Sequence, residues 1–215
     1  MHIPDGYLSL STCAAGYVVA APLWIIGLKK IKQALDENTL PLIASLSALS
    51  FIVMMFNVPI PGGTSGHATG AALLAICFGP WVAFISISLV LLIQALLFGD
   101  GGITTFAINT LGMGAVGSFV AYGIFHLLKS FRFAPFIAGW SGLVAASMLV
   151  ATVLGIQPHI ATVDGHPLFF PFGLSVTFPA LVGSHMLVFG VVEGIFTQLA
   201  YGYIKKNLTH YKEAP

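Results

Sequence analysis

The chain has 215 residues, of which 57% are hydrophobic and 7% charged, with a formal net charge of +1. Soluble domains carry about 25% charged residues, so the composition excludes a water-soluble globular fold and leaves a multi-span membrane protein. The near-neutral balance also excludes a basic nucleic-acid surface.

The chain opens Met1-His2-Ile3-Pro4-Asp5-Gly6-Tyr7. A free α-amine, the main-chain nitrogen of His2 and its Nδ1 can close two fused chelate rings, one five-membered and one six-membered. Such rings put three nitrogens on one plane around an ion, and square-planar nitrogen donation is the preference of Ni(II) or Cu(II). Methionine is trimmed mainly before small residues, so Met1 is expected to stay. Pro4 lacks an N–H and stiffens the exit from the chelate. The plainer reading is a histidine that happens to follow the start. No Lys or Arg precedes the first apolar run, so no cleavable signal peptide is expected.

A bilayer span needs about 17–25 apolar residues. Such runs cover roughly 8–28, 42–58, 68–98, 104–128, 134–155 and 173–204, and the third is interrupted by Gly79-Pro80. Basic clusters belong in the cytoplasm, so an even number of crossings must separate Lys29, Lys30 and Lys32 from Lys129 and Arg132. Dividing the third run into 68–79 and 80–98 satisfies this. The expectation is an all-α integral membrane protein, a single domain over 1–215 with seven helices, amino end outside and carboxyl end inside. All eight Lys and Arg residues, Lys212 included, then face the cytoplasm. Residues 1–7 and the 57–67, 98–104 and 156–172 loops share the outer face, where Asp5, Asp100 and Asp164 give an acidic bias suited to a cation. Cys13 and Cys77 lie in apolar runs and read as small buried hydrophobes.

His67 follows the glycine-rich stretch Gly62-Gly63-Thr64-Ser65-Gly66. Glycine allows tight turns and close backbone approach, so this loop can fold inward and offer His67 as a fourth planar ligand. Alternatively it is a capping segment, with Thr64 or Ser65 at the N-cap and His67 a bystander. Polar residues inside spans are costly and tend to be functional. Gln94 and Asn109 flank the 98–104 loop and could orient His67 or hold the amino segment. Glu193 and His185 are deeper, and interhelical hydrogen bonding is their simplest role. His159, Asp164 and His166 could bind a metal from the 156–172 loop, although a solvated turn is the simpler reading. His126 suits a helix C-terminus, and His210 receives no role. Small residues recur at four-residue spacing, as in Gly16/Ala20, Ala44/Ala48 and Gly117/Ala121, and favour close helix packing.

Three ordered stretches carry a resemblance. Residues 1–8, Pro61-Gly62-Gly63-Thr64-Ser65-Gly66-His67-Ala68-Thr69-Gly70 and Asp100-Gly101-Gly102-Ile103-Thr104-Thr105-Phe106-Ala107-Ile108-Asn109-Thr110 resemble the NikM/CbiM family. That family supplies the substrate-binding (S) membrane subunit of energy-coupling-factor nickel and cobalt transporters in prokaryotic plasma membranes. The resemblance covers nearly the whole chain. It implies that Met1, His2 and His67 bind Ni(II) or Co(II); Ser65, Gln94, Asn109 and Glu193 stand beside them as supporting candidates read from the residues themselves. It implies further a membrane coupling (T) subunit, two cytoplasmic ATPase (A) subunits and, in some systems, a small accessory membrane subunit. No Walker loop is present in the sequence. Two rivals stand beside it. Gly63-Thr64-Ser65-Gly66 matches the short G-x-S-G pattern of rhomboid-like intramembrane proteases, with His185 as a base. The other is a secondary metal permease that works without ATP.

Overall fold

The protein is described by a computed structural model covering residues 1–37, 39–60 and 64–207. Pro61, Gly62, Gly63, His210 and Lys212 therefore lie outside the described residues. The elements run α1 Leu10–Ala34, α2 Thr39–Met55, β1 Val58–Ile60, β2 Thr64–Gly66, α3 Ala71–Phe78, α4 Pro80–Phe98, α5 Phe106–Leu127, α6 Ala134–Ile160, β3 Thr162–Val163, β4 His166–Pro167 and α7 Leu174–Asn207. Among the described residues, α1, α4, α5, α6 and α7 are long and apolar enough to cross a membrane, whereas α2 has 17 residues and α3 has 8. A helix satisfies its own backbone groups, which is what an apolar surrounding demands.

Glycine and proline together make the break between α3 and α4. Gly79 takes φ +87°, a left-handed value open to glycine. Its N–H closes α3 onto Ala75 O at 2.9 Å, and its carbonyl receives Ala83 N at 3.2 Å to open α4. Pro80 begins α4, where no N–H is needed. α3 is the centre of the bundle: Ala71 to Cys77 are all buried, and α2, α4, α5, α6 and α7 surround it.

The helices are small inside and large outside. On α1 the buried positions are Cys13, Gly16, Ala20 and Gly27, while Val18, Ile25 and Leu28 are exposed. Outward aliphatic side chains suit lipid, and small inward ones let backbones approach. Ala44 and Ala48 lie on the exposed side of α2, whereas Gly117 and Ala121 face α6.

Two features differ from the sequence expectation. Two antiparallel strand pairs, β1–β2 and β3–β4, stand in segments expected to be loops. α6 also continues past 155 to Ile160 and takes in Pro158 and His159. Proline removes only its own donor, and the last turn still closes through Ala161 N to Gln157 O at 3.3 Å.

The α5–α6 seam has no spare room. A Cβ on Gly142 would stand 2.6 Å from Gly117 O and 2.9 Å from Ala121 Cβ. Gly142→Val should therefore destabilise the fold by about 1–3 kcal/mol through overpacking, measured as a lower thermal midpoint in detergent.

Candidate functional site

Residues 1–7 fold into the bundle. Met1 and Ile3 are fully buried and His2 is 4% exposed. Asn109, in the first turn of α5, clamps Ile3 at two points: Oδ1 accepts from Ile3 N at 2.9 Å, and Nδ2 donates to Ile3 O at 3.0 Å. Gly102 N at 3.1 Å and Thr105 Oγ1 at 2.5 Å donate to the same carbonyl. Asp5 then reaches across to the loop. Its carboxylate accepts from Ile103 N at 3.1 Å, Thr104 N at 2.8 Å and Thr104 Oγ1 at 2.5 Å. Burial opposes charge on Asp5, but the donors from Thr104 and Ile103 prevail and hold its carboxyl below the ordinary range. Gly102 is required by this seat, because a Cβ there would overlap the main-chain nitrogen and carboxylate of Asp5. Gln157 of α6 secures the exit, with its Oε1 accepting from Ser9 N at 3.0 Å.

The opposite wall is the 64–70 segment. Ser65 lies in β2, paired with Pro59. The Met1 amine donates to the Ser65 carbonyl and lies 3.4 Å from Ser65 Oγ. Gly66 permits close packing on α7, since a Cβ there would overlap the Phe189 ring. His67 is 1% exposed, with Nδ1 3.0 Å from Ala68 O. Just beyond it, the Glu193 carboxylate accepts from Thr69 N at 2.6 Å and Gly70 N at 3.1 Å. These are free amides at the start of α3, where a negative charge is favoured. Glu193 thus fixes from α7 the loop that carries His67.

The two walls bring His2 and His67 together, with ring centroids 4.6 Å apart and planes within 19° of parallel. The pair formed by His2 Nδ1 and Asp100 Oδ1 stands 3.1 Å apart. It is a close electrostatic contact. Among the described residues, both ring nitrogens of His2, Nε2 of His67 and of His185, and both amide atoms of Gln94 are buried without a partner. An unpaired buried polar atom costs about 1–3 kcal/mol. So many around one point mark a place built to receive something.

Charge is suppressed here. Burial pushes the Met1 amine down to about 4, against the opposing pull of Asp100. It lowers the His2 imidazole as well, again with Asp100 opposing. Burial works against the Asp100 carboxylate too, but His2 and Asn57 hold it below its usual value. A pocket of about 300 Å³, lined by His2, Asn57, Ser65 and Asp100 among others, opens the site to the surface.

Of the residues singled out in the sequence, Met1, His2, Ser65, His67, Gln94 and Asn109 meet at this point, and Glu193 supports it from one side. His185 lies within electrostatic reach of Met1 and His67. His159 and His166 are exposed, on α6 and on β4. Among the described residues, no group of three or more His, Cys, Asp or Glu side chains is placed to hold a metal. The rhomboid-like alternative finds no support: Ser65 Oγ lies by the Met1 amine, and His185 Nδ1 is 2.7 Å from Leu181 O. Sequence reasoning gave Asp5 and Asp100 only a general acidic role, and it gave Asn57, Thr105 and Gln157 none. The signal for Asp100, Thr105 and Asn109 was their shared stretch with Gly101 and Gly102. Asn57 and Gln157 carry no local signal.

The family model described as "Cobalt uptake substrate-specific transmembrane region" matches residues 2–210. The chain is 42% identical over 212 residues to a probable fused nickel transport protein of Lactiplantibacillus plantarum, covering 96% of this chain and 65% of that one. It is 42% identical over 218 residues to a fused nickel transport protein of Rhodobacter capsulatus, covering 96% of this chain and 62% of that one. The chain thus spans less than two thirds of the length of these two relatives. A crystal structure of a truncated transition metal transporter superposes with a TM-score of 0.93 at 45% identity, covering 96% of this chain and 99% of that one.

Asn109→Ala should leave Ile3 N–H buried without its acceptor, at a cost of about 1–3 kcal/mol. Hydrogen exchange in detergent should then find the Ile3 amide exchanging about tenfold faster or more, with the amides of α6 unaltered.

Proposed function

The chain belongs to the family of cobalt uptake substrate-specific transmembrane regions, and we propose that it is the substrate-binding membrane subunit of an ATP-driven importer of Ni(II) or Co(II). The observation that carries this reading is a buried amino terminus seated against two histidines whose Nε2 atoms lack hydrogen-bond partners. The ion is the cargo, and four nitrogens take it: the Met1 amine, the His2 main-chain nitrogen, His2 Nδ1 and His67 Nε2.

The surroundings suit each donor. The Met1 amine, at about 4, is neutral at pH 7. Its hydrogens face Ser65 oxygens, which leaves the lone pair for the ion. His67 turns Nδ1 to Ala68 O, and a donor N–H there leaves Nε2 as the ligand atom. With metal–nitrogen bonds of roughly 2.0 Å, imidazoles on adjacent corners of a plane have centroids about 4.4 Å apart. The observed 4.6 Å supports adjacent corners. The ion displaces the His2 amide proton, which leaves to solvent, and this makes the loaded site one charge less positive and easier to bury. Tetrahedral Zn(II) fits a plane poorly. Cu(II) would bind more tightly than Ni(II) in any such donor set, so copper is excluded by availability or by the shape of the pocket.

In this reading the chain crosses the membrane seven times, with the mouth pocket outside and the carboxyl end in the cytoplasm of a prokaryotic cell. Its sequence has no phosphate-binding loop, so ATP is hydrolysed by two separate ATPase subunits acting through a membrane coupling subunit. A small accessory membrane subunit completes some such assemblies.

One alanine added before Met1 moves the amine out of the chelate. That variant, and His67→Ala, should lose nickel affinity by more than about 100-fold while keeping the thermal midpoint of the unaltered chain. Tight nickel binding by the extended chain would refute the site.

The pH response has a definite sign. Metal competes with protons for its ligands. The Met1 amine carries no proton above about pH 5, and burial also lowers His2 from its ordinary value, so above pH 7 the proton released comes from the His2 amide. Apparent affinity should rise with pH, by about one log unit per pH unit. An exposed Met-His peptide, whose amine and imidazole also titrate, should have a steeper slope. Titration in a pH series with a competing chelator measures both.

A further inference from the structure

We propose that the mouth pocket contains a second, outer cation site, in which the Asp100 carboxylate and the Asn57 side-chain oxygen take a hydrated divalent transition-metal ion before it reaches the nitrogen chelate. This rests on the reading of Met1, His2 and His67 as the inner site.

The pocket has the right size. It encloses about 300 Å³ and is lined by His2, Pro4, Asn57, Pro59, Ser65 and Asp100, with Gly99 and Gly101 completing the wall. An ion with six waters needs about 200 Å³, at roughly 30 Å³ per water, so it can enter without first shedding its shell. Asp100 stands where the pocket meets the buried site. Its side chain is 22% exposed, and Oδ1 lies 3.1 Å from His2 Nδ1. The carboxylate therefore has one side on the pocket and the other on the atom that closes the chelate.

Asn57 sets up the pair. Its Nδ2 donates to both Asp100 oxygens, at 3.3 and 3.5 Å. Its Oδ1 is buried and without a partner among the described residues. An ionised carboxylate beside a free amide oxygen is a hard-oxygen pair that accepts an ion still carrying water. His2, 96% buried, with Nε2 lacking a hydrogen-bond partner and Nδ1 beside Asp100, is the next donor inward. Transfer is then a ligand exchange: water leaves for Asp100 and Asn57 oxygen, and those oxygens leave for nitrogen. The gain of the outer site is that dehydration is divided into two smaller steps. The His2–Asp100 contact also keeps Nδ1 turned towards the arriving ion.

The test is stopped-flow nickel binding to the purified full chain in detergent. Asp100→Asn should slow association by about tenfold or more, with the dissociation rate changed less than about threefold. Asp100→Glu should restore association. Asn57→Asp, which adds a carboxylate to the same pocket, should speed association and keeps the test open if Asp100→Asn does not fold. Asp164→Asn removes an equal charge from the exposed β3–β4 turn and should leave the rate unchanged. An Asp164 effect as large as that of Asp100 would mean general charge attraction and overturn the site. So would an unaltered association rate in both Asp100→Asn and Asn57→Asp, or an effect of Asp100→Asn confined to dissociation. If the chain with an added amino-terminal alanine binds nickel tightly, the inner chelate falls and the outer site with it. If that variant loses binding while Asp100→Asn associates normally, only the outer site falls.

Discussion

Placing a chain terminus inside an apolar bundle costs the hydration of an ammonium group, and the protein meets this by giving up the charge. The Met1 amine sits at about 4 because burial penalises its charged form. What remains is a neutral amine with hydrogens to donate and a lone pair to offer. Everything around it follows. A buried donor needs an acceptor, and the Ser65 carbonyl supplies one. A buried segment needs its main chain satisfied, and Asn109, Gly102 and Thr105 do this at Ile3 alone.

The seat is rigid in the parts that hold and open in the parts that receive. Asp5, Asn109, Gln157 and Glu193 are each committed to backbone amides. By contrast, the ring nitrogens of His2, the Nε2 atoms of His67 and His185, and the amide of Gln94 are unsatisfied. A membrane bundle tolerates such atoms poorly, so their gathering around the amino terminus and His2 gives the arrangement a purpose beyond packing. Wide helical turns frame the same region: Gln94–Phe98, Thr110–Val116, Phe178–Gly183 and His185–Phe189 are all π-helical. π-turns are rare and concentrate at functional sites. Here they carry Gln94 and His185 and follow directly after Asn109.

Much of this was legible from local chemistry. Met-His at the start predicts fused chelate rings whatever the fold, because all three donors lie within two residues. Gly79-Pro80 predicts a helix break for equally local reasons, and Gly79 at φ +87° is that break. Long-range partners were not legible. Asp100 read as one of several outer acids, and Gln157 as an unremarked residue at a helix end. Their roles depend on separations of 98 residues for His2–Asp100 and 148 for Ser9–Gln157, which no periodicity encodes. His159 was misplaced in a loop because a proline precedes it, although a proline near the end of a helix removes one hydrogen bond without unwinding the last turn.

By itself the sequence determined that the chain is apolar and helical and that a helix breaks at Gly79-Pro80, and it offered the first two residues as candidate donors for a planar ion. Composition, proline, glycine and adjacent donors act within a few bonds, so no fold is needed to read them. Only the tertiary structure decided that Glu193 holds the loop of His67, that Asn109 and Asp5 seat the amino segment, and that Asp100 stands between His2 and the open pocket. Those are meetings of elements remote in the chain, brought together because each buried polar group must find its partner somewhere else in the bundle.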